Sequence, residues 1–149
     1  MKIEDVIKTG TMHSHSRTVI NLVYTASEVG NRISETVKPY GISTQQFNVL
    51  RILRGQKGKP ANLSTIQERM VSKMSNTTRI VDKLIDKGLV ERIQCPKNRR
   101  KVEIFITGKG RDLLSEVNVV VANAEKEIVK HLSKQELESL NHMLDTLRS

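Results

Sequence analysis

The chain has 149 residues, which is enough for one domain with a sizeable core, and its 25 Lys and Arg against 16 Asp and Glu give a net charge of +9. It holds no apolar run near the ~18 residues that a membrane span requires, and residues 1–11 lack the apolar centre of a secretory signal, so we expect a soluble cytoplasmic protein without a membrane partner. The only cysteine, Cys95, excludes an internal disulfide.

The beginning of the chain predicts one long helix. Residues 1–12 are expected to be poorly ordered. Over residues 13–38, apolar side chains recur every three or four positions, a spacing that is typical of an amphipathic helix. Pro39 and Gly41 are expected to end that helix, because proline lacks the backbone donor and glycine readily leaves the helical conformation.

Two shorter helices follow. Ser43 and Gln46 have the spacing of a capping box, in which each side chain bonds the other residue's backbone N–H, so a helix is predicted to begin here. That helix is expected to end near Gly55. Residues 63–70 predict a short helix, and residues 71–74 a turn.

After this turn, residues 75–87 predict a helix whose apolar and polar positions lie on opposite faces, and Gly88 is expected to end it. The sequence leaves open whether Ser72 or Ser75 caps the helix. The predicted inward residues are Met74, Thr78, Val81, Leu84 and Ile85. The predicted outward residues are Ser75, Asn76, Arg79, Lys83 and Asp86.

A β-hairpin and two more helices complete the pattern. Residues 89–95 and 101–107 predict two strands joined by a basic tip at residues 96–100. Thr107 is expected to cap a helix that reaches about His131. Its predicted inward residues are Leu113, Val117, Val120, Ala124 and Ile128. Ser133 and Glu136 form a second capping box, and the last helix is expected to bury Leu137, Leu140, Leu144 and Leu147.

The positive charge is concentrated in the middle of the chain. Residues 51–111 hold 16 Lys and Arg against 5 Asp and Glu, whereas residues 1–50 hold 5 against 4 and residues 112–149 hold 4 against 7. A confined cationic segment is the footprint expected of a phosphate-binding surface, because counterion release drives such binding. The alternative is an ordinary solvated face.

The chain resembles the MarR family of winged helix–turn–helix regulators. The resemblance is carried by I-S-T-Q-Q-F-N-V-L-R-I-L at 42–53, T-R-I-V-D-K-L-I-D-K-G-L-V-E-R at 78–92 and N-R-R-K-V-E-I-F-I-T-G-K-G at 98–110. It implies a mainly α fold with a small β-hairpin, in which a DNA-binding lobe at 42–107 lies between dimerisation helices at 13–38 and 108–149 of a single 149-residue regulator domain. Where the family usually has an aspartate in its wing, this chain has Asn98.

The resemblance implies sequence-specific binding to duplex DNA, usually as a repressor that a small ligand releases. Arg79 is the best candidate for a base contact, since arginine pairs with guanine through two hydrogen bonds, and Asn76 would read adenine in the same groove. Further candidates on or near the helix are Ser75, Thr77, Thr78, Lys83 and, on its flank, Lys73. The wing candidates are Lys97, Asn98, Arg99, Arg100 and Lys101.

The long amphipathic helices predict a homodimer, because their apolar stripes exceed what one small core needs and a second copy would bury them. The candidate dimerisation residues are Val19, Leu22, Val120, Leu137, Leu140, Leu144 and Leu147. The family often has a ligand cavity between these helices and the DNA-binding lobe, and Tyr24 and Tyr40 are candidates to line it, although such tyrosines are more often packing residues. No cofactor or metal is expected, and the effector is unknown.

Other classes of function are disfavoured. The chain has no phosphate-loop motif, no G-x-S-x-G and no H-E-x-x-H, so we do not expect an enzyme. RNA binding usually uses aromatic stacking platforms, and the basic segment holds only Phe105. A nonspecific architectural DNA-binding protein remains the alternative, because it would share the charge without needing base contacts.

Overall fold

The computed structural model describes residues 1–149 except for the side chains of Arg99 and Arg100. It confirms the predicted fold class, mainly α with a small β-hairpin. The elements are α1 (Ile3–Val6), α2 (Ser14–Val37), a 3₁₀ turn (Lys38–Tyr40), α3 (Thr44–Gly55), α4 (Leu63–Arg69), α5 (Thr77–Asp86), β1 (Val90–Cys95), β2 (Asn98–Ile106), α6 (Gly108–Val129) and α7 (Lys134–Leu147). Within the described chain, no helix combines the length and hydropathy needed to cross a membrane.

The predicted disorder of the N-terminus was wrong. Ile3 is buried, with 4% of its surface exposed, and α1 packs against α2. Beside it, Arg17 Nε donates a hydrogen bond to Glu4 Oε1, and this bond is the main cause that lowers the pKa of the Glu4 carboxyl. An apolar anchor and an ion pair therefore hold the first turn of the chain on the long helix.

The core of the protomer centres on α3. Ser43 Oγ accepts a hydrogen bond from Gln46 N at 3.1 Å, and Gln46 Oε1 accepts one from Ser43 N at 3.0 Å, so the predicted capping box is confirmed. The helix then buries its apolar stripe at Phe47, Val49, Leu50 and Leu53. Each such side chain contributes about 1.5–3 kcal/mol through removal of apolar surface from water. The other core residues come from the end of α2, from α4, α5, α6 and both strands, and from the connections at Ile42, Ala61, Met70 and Leu89.

The long helices contribute less to this core than the sequence predicted. Val37 is the one residue of α2 that is buried, and α7 has no buried residue. In α6 the buried residues are Gly110, Leu114, Val117 and Val121. Val117 is therefore buried as predicted, whereas the other predicted inward residues, Leu113, Val120, Ala124 and Ile128, are half-buried. The close packing of Gly110 against Leu89 selects this stripe, because residues 110, 114, 117 and 121 share one face of the helix.

A tight junction links the hairpin to α6. Thr107 Oγ1 accepts a hydrogen bond from Gly110 N at 3.0 Å, as predicted for a capping residue, and donates one to Gly88 O at 2.8 Å. Gly88 has a φ of +73°, in agreement with its predicted role after the helix. An ideal Cβ on Gly110 would lie 2.2 Å from Leu89 O, so only glycine fits there without a shift of the backbone. We call residues 88, 89, 107 and 110 the junction.

The hairpin is longer than the predicted one. The strands are antiparallel, with Val90 opposite Ile106 and Gln94 opposite Val102. The register shifts between Gln94 and Cys95, so that Cys95 lies opposite Asn98 and β2 begins three residues before the predicted start. Ala61, just before α4, forms an isolated bridge with Ile104 and ties the hairpin to the helix–turn–helix.

Candidate nucleic-acid interface

The helix α5 begins at a different residue from the predicted one. Asn76 is its N-cap, and Asn76 Oδ1 accepts a hydrogen bond from Arg79 N at 3.1 Å. Neither Ser72 nor Ser75 is the cap, and the helix starts at Thr77, two residues after the predicted start. An asparagine cap satisfies a backbone N–H that would otherwise lack a partner in the first turn.

This later start changes which side chains reach solvent. Thr77 has 6% of its surface exposed, and its hydroxyl donates a hydrogen bond to Gln67 Oε1, so it is a packing residue and its prediction as a DNA contact was wrong. Thr78, predicted to face inward, is exposed. Met74 lies in the preceding turn, outside the helix, and is 95% exposed instead of buried. The helical wheel does not apply to Met74, because this residue precedes the first residue of the helix.

The turn between α4 and α5, residues 70–76, is held by side chains from two helices. Gln67 Nε2 on α4 donates to Lys73 O at 2.9 Å, while its Oε1 accepts from Thr77. Asn48 Oδ1 on α3 accepts from Val71 N at 2.9 Å. Neither Asn48 nor Gln67 was predicted to have a role. Each is a polar residue beside the apolar stripe of its helix, but the sequence does not indicate which backbone group such a residue will bond.

Two cations project from the exposed face of α5. Arg79 and Lys83 are one helical turn apart, both are exposed, and neither forms an ion pair with another residue whose side chain is described. The Lys73 amine donates to the Glu68 carbonyl oxygen, which places it beside the turn. The Ser75 hydroxyl is buried and has no hydrogen-bond partner within the described structure.

The wing adds charge next to this face. Lys97, Asn98 and Lys101 are exposed, whereas the predicted sites at Arg99 and Arg100 fall on the two side chains outside the described residues. Arg92 on β1 and Asp82 on α5 form an ion pair with an N–O distance of 3.4 Å, and both side chains are about half exposed, at 50% and 51%. A pair this exposed contributes at most about 1 kcal/mol, so it helps to orient the hairpin against α5 without dominating stability.

A cavity of about 720 Å³ lies on the other side of the helix–turn–helix. It is lined by residues of α2, α3, α6, α7 and the turn before α5, and Tyr24 and Tyr40 are absent from its lining, so their candidacy was wrong. The lining is largely apolar, with Arg51, Glu125 and Lys126 as its charged members. The guanidinium of Arg51 lies over the Phe47 ring, 5.6 Å from its centroid. The family resemblance implied a cavity between the long helices and the DNA-binding lobe, but the sequence did not identify its lining, because the walls come from four separate helices.

Comparison with known proteins identifies the family to which this architecture belongs. The sequence model described as the MarR family matches residues 42–102, which span the helix–turn–helix and most of the hairpin. The uncharacterized HTH-type transcriptional regulator YdgG of Bacillus subtilis strain 168 is 33% identical over 112 residues, covering 72% of this chain and 71% of YdgG. The chain belongs to the MarR family. Its homologues are transcriptional regulators, and the family is not one of enzymes.

Solved structures of MarR proteins share the fold. A variant of E. coli MarR complexed with operator DNA has a TM-score of 0.79 at 21% identity, over 93% of this chain and 99% of that one. Bordetella bronchiseptica BpsR, whose DNA binding is regulated by 6-hydroxynicotinic acid, has a TM-score of 0.81 at 19% identity, over 94% and 99% of the two chains. At these identities the likeness establishes the winged-helix fold of this MarR-family chain.

Proposed function

We propose that this MarR-family regulator is a cytoplasmic homodimer that binds a pseudo-palindromic duplex site in a sequence-specific manner, and that it represses transcription until a small ligand releases it. In this proposal residues 42–107 form the DNA-binding lobe, and residues 13–38 and 108–149 dimerise. The observation that carries it is the exposed face of a capped helix beside a cationic hairpin, on which Arg79 and Lys83 form no ion pair with any described side chain. Such a helix fits the major groove, and the hairpin then meets the adjacent backbone.

The candidate DNA-contacting residues are not equally favoured. Arg79 is the first choice for a guanine, because its side chain is exposed and lies near the helix start. Asn76 is a weaker reader of adenine than the sequence suggested, since its amide oxygen already accepts the capping hydrogen bond. Lys73, Lys83 and Thr78 are exposed and suited to phosphates. The half-buried Ser75 would need its hydroxyl to turn outward.

The apolar surface of the long helices supports the dimer. Val19, Leu22, Leu140 and Leu147 are 60%, 42%, 40% and 61% exposed in the protomer. Three further candidates, Val120, Leu137 and Leu144, are half-buried. A second copy would cover this surface and set two copies of α5 side by side, about 34 Å apart, for half-sites one DNA turn apart.

The cavity supports the ligand-responsive part of the proposal. A volume of about 720 Å³ and an apolar wall with a few charged groups suit a small organic molecule. BpsR is a structural neighbour whose DNA binding responds to such a compound. In this chain the cavity touches the turn that leads into α5, so its contents and the position of that helix are physically connected.

Selection of bound duplexes from a random pool is the test of the proposal. A regulator should enrich a palindromic motif and bind it about a thousandfold or more tightly than random duplex. The alternative, a nonspecific architectural protein, would bind the pool strongly without enriching any motif. Absence of binding even at low salt would contradict both functions.

Arg79→Ala should cost roughly 1–3 kcal/mol of binding to the selected duplex and blur the preference at one base position. The reason is the loss of a two-hydrogen-bond contact to one base edge. Binding titrations against single-base variants of the duplex measure both effects. Lys59→Ala removes the same charge from the exposed loop before α4 and is the matched control. Unchanged affinity and preference in Arg79→Ala would show that α5 is not the reading helix.

Arg100→Ala should weaken binding to all duplexes alike and lower the slope of log affinity against log salt by about one unit. This follows if the residue neutralises one phosphate and reads no base. Titrations over a series of salt concentrations, with selected and random duplex side by side, measure the slope. A loss confined to the selected duplex would instead assign base recognition to the wing.

A further inference from the structure

We propose that Asn48 is a positioning residue that couples the contents of the cavity to the recognition helix α5. This deepens the proposed ligand response and rests on the proposed DNA-binding function. Asn48 lies on α3, and its Oδ1 accepts a hydrogen bond from Val71 N at 2.9 Å across 23 residues of sequence. Val71 belongs to the turn that leads directly into α5.

The contacts of this turn differ in origin. The bonds from Gln67 and from the Lys73 amine come from α4 or from the turn itself, so they travel with the helix–turn–helix. The Asn48 bond comes from α3, whose buried stripe belongs to the central core. It therefore links the turn to a fixed element beside the buried side chain of Met70, and its loss would let residues 71–76 shift relative to that core.

The same link lies in the wall of the cavity. Asn48 and Val71 both line it, together with Met70 and Ser72 from the turn and Ala122 from α6. The Val71 side chain is 89% exposed, so beyond the buried Met70 the chain at Val71 is held by the hydrogen bond and not by its own apolar packing. An occupant that presses on this wall would work against one hydrogen bond, and such a bond makes a modest net contribution to stability. The binding energy of an ordinary small ligand in the cavity would therefore be enough to shift the turn between α4 and α5.

Two substitutions at Asn48 isolate the bond, and two at Gln45 serve as controls. Asn48→Ala removes the acceptor, whereas Asn48→Asp keeps an oxygen that accepts from Val71 N. Gln45→Ala and Gln45→Asp are the matched controls, since Gln45 is exposed and lines the same cavity, and the aspartate shows what an added negative charge costs by itself. The measurements use the full chain and the duplex selected from the random pool. They are the duplex dissociation constant, the melting temperature and the hydrogen-exchange rate of the Val71 amide.

We expect Asn48→Ala to bind the duplex about five- to tenfold more weakly, the fold-change that corresponds to loss of one hydrogen bond, with faster exchange at Val71. The melting temperature should fall by roughly 2–4 °C relative to Gln45→Ala, because about 1 kcal/mol of native hydrogen bonding is lost. Asn48→Asp should keep Val71 protected and bind like Gln45→Asp. Wild-type affinity and exchange in Asn48→Ala would overturn the positioning role.

The coupling to the cavity is tested without a ligand, by placing a larger side chain at a residue that lines the cavity. Ala122→Phe, with Ala122→Leu as a milder variant, should weaken duplex binding and speed exchange at Val71 in the wild-type background. In the Asn48→Ala background each should add little, because the link is already broken, so the double-mutant cycle should be non-additive. Additive effects would overturn the coupling. Sedimentation verifies that the Ala122 variants keep the wild-type oligomeric state.

Different results would contradict the DNA-binding function and the positioning role of Asn48. If the wild-type chain selects no duplex, the DNA-binding function fails. The Val71 exchange measurements need no DNA and still decide whether Asn48 and the cavity are coupled. If the duplex is bound and the cycle is additive, the DNA-binding function stands and the role of Asn48 falls.

Discussion

Gly110→Ala is expected to destabilise the protein by about 3 kcal/mol, at the upper end of the usual cost of overpacking. The added Cβ would lie 2.2 Å from Leu89 O and 2.8 Å from Ile106 Cγ1. The first of these neighbours is backbone, which cannot yield by rotating a side chain. Relief requires α6 to move away from the hairpin, which would weaken the packing of Leu114 and Val117, both fully buried.

Thermal or denaturant unfolding at one fixed protomer concentration measures this effect, since association stabilises a folded state by an amount that depends on the logarithm of the concentration. A loss of about 3 kcal/mol corresponds to a fall of roughly 6–12 °C in Tm for a chain of this size. Gly108→Ala is the control on the same helix, because a Cβ at Gly108 meets nothing within 4 Å. It should be neutral or slightly stabilising, since alanine restricts the unfolded chain. Equal stability of the two variants would contradict the described packing at the junction.

The double variant Leu140→Glu with Leu147→Glu should separate the dimer and weaken binding to the selected duplex by about a hundredfold or more. Both side chains are exposed in the protomer, at 40% and 61%, so the substitution spares the protomer's own core. In a dimer it would bury charges without partners, which is costly. Once the protomers separate, each half-site is bound on its own, and the gain of about 10²–10⁴ from linked binding is lost.

Analytical ultracentrifugation should show loss of the dimer, and duplex titration should show the accompanying loss of affinity. Gln135→Glu with Asn141→Asp adds the same charge on α7 and is the matched control, since both side chains are polar and exposed. It separates loss of the dimer from simple repulsion of DNA. A double Leu variant that sediments as wild type would show that α7 lies outside the dimer interface.

Local signals in the sequence predicted element ends well where the side chain and the backbone group it bonds lie within four residues. The capping boxes at Ser43 and Ser133, the cap at Thr107 and the left-handed Gly88 are all present as predicted. Each depends on hydrogen bonds or backbone geometry that the neighbouring residues determine, so no tertiary information is needed.

Predictions failed where a distant element decides the outcome. The contact from Gln67 on α4 turns Thr77 inward. The cap of α5 is a failure of a different kind, because the bond from Arg79 N to Asn76 Oδ1 is local and yet neither predicted serine makes it. The rotation of α6 depends on Gly110 meeting Leu89, which lies in the connection between α5 and β1. The cavity and the bond from Asn48 to Val71 are likewise products of packing between helices. Periodicity identifies an amphipathic helix, but it does not fix which of two adjacent stripes is covered.

The junction has a mechanical consequence. Just after α5, Lys87 O accepts a hydrogen bond from Lys109 Nζ at 2.9 Å, and Thr107, Gly88 and Leu89 join the same point to the first turn of α6. These bonds join the end of α5 directly to the start of α6, so we expect α5 to follow a small roll of α6. In the proposed DNA-binding mode, such a roll would let the two recognition helices adjust to altered spacing between half-sites.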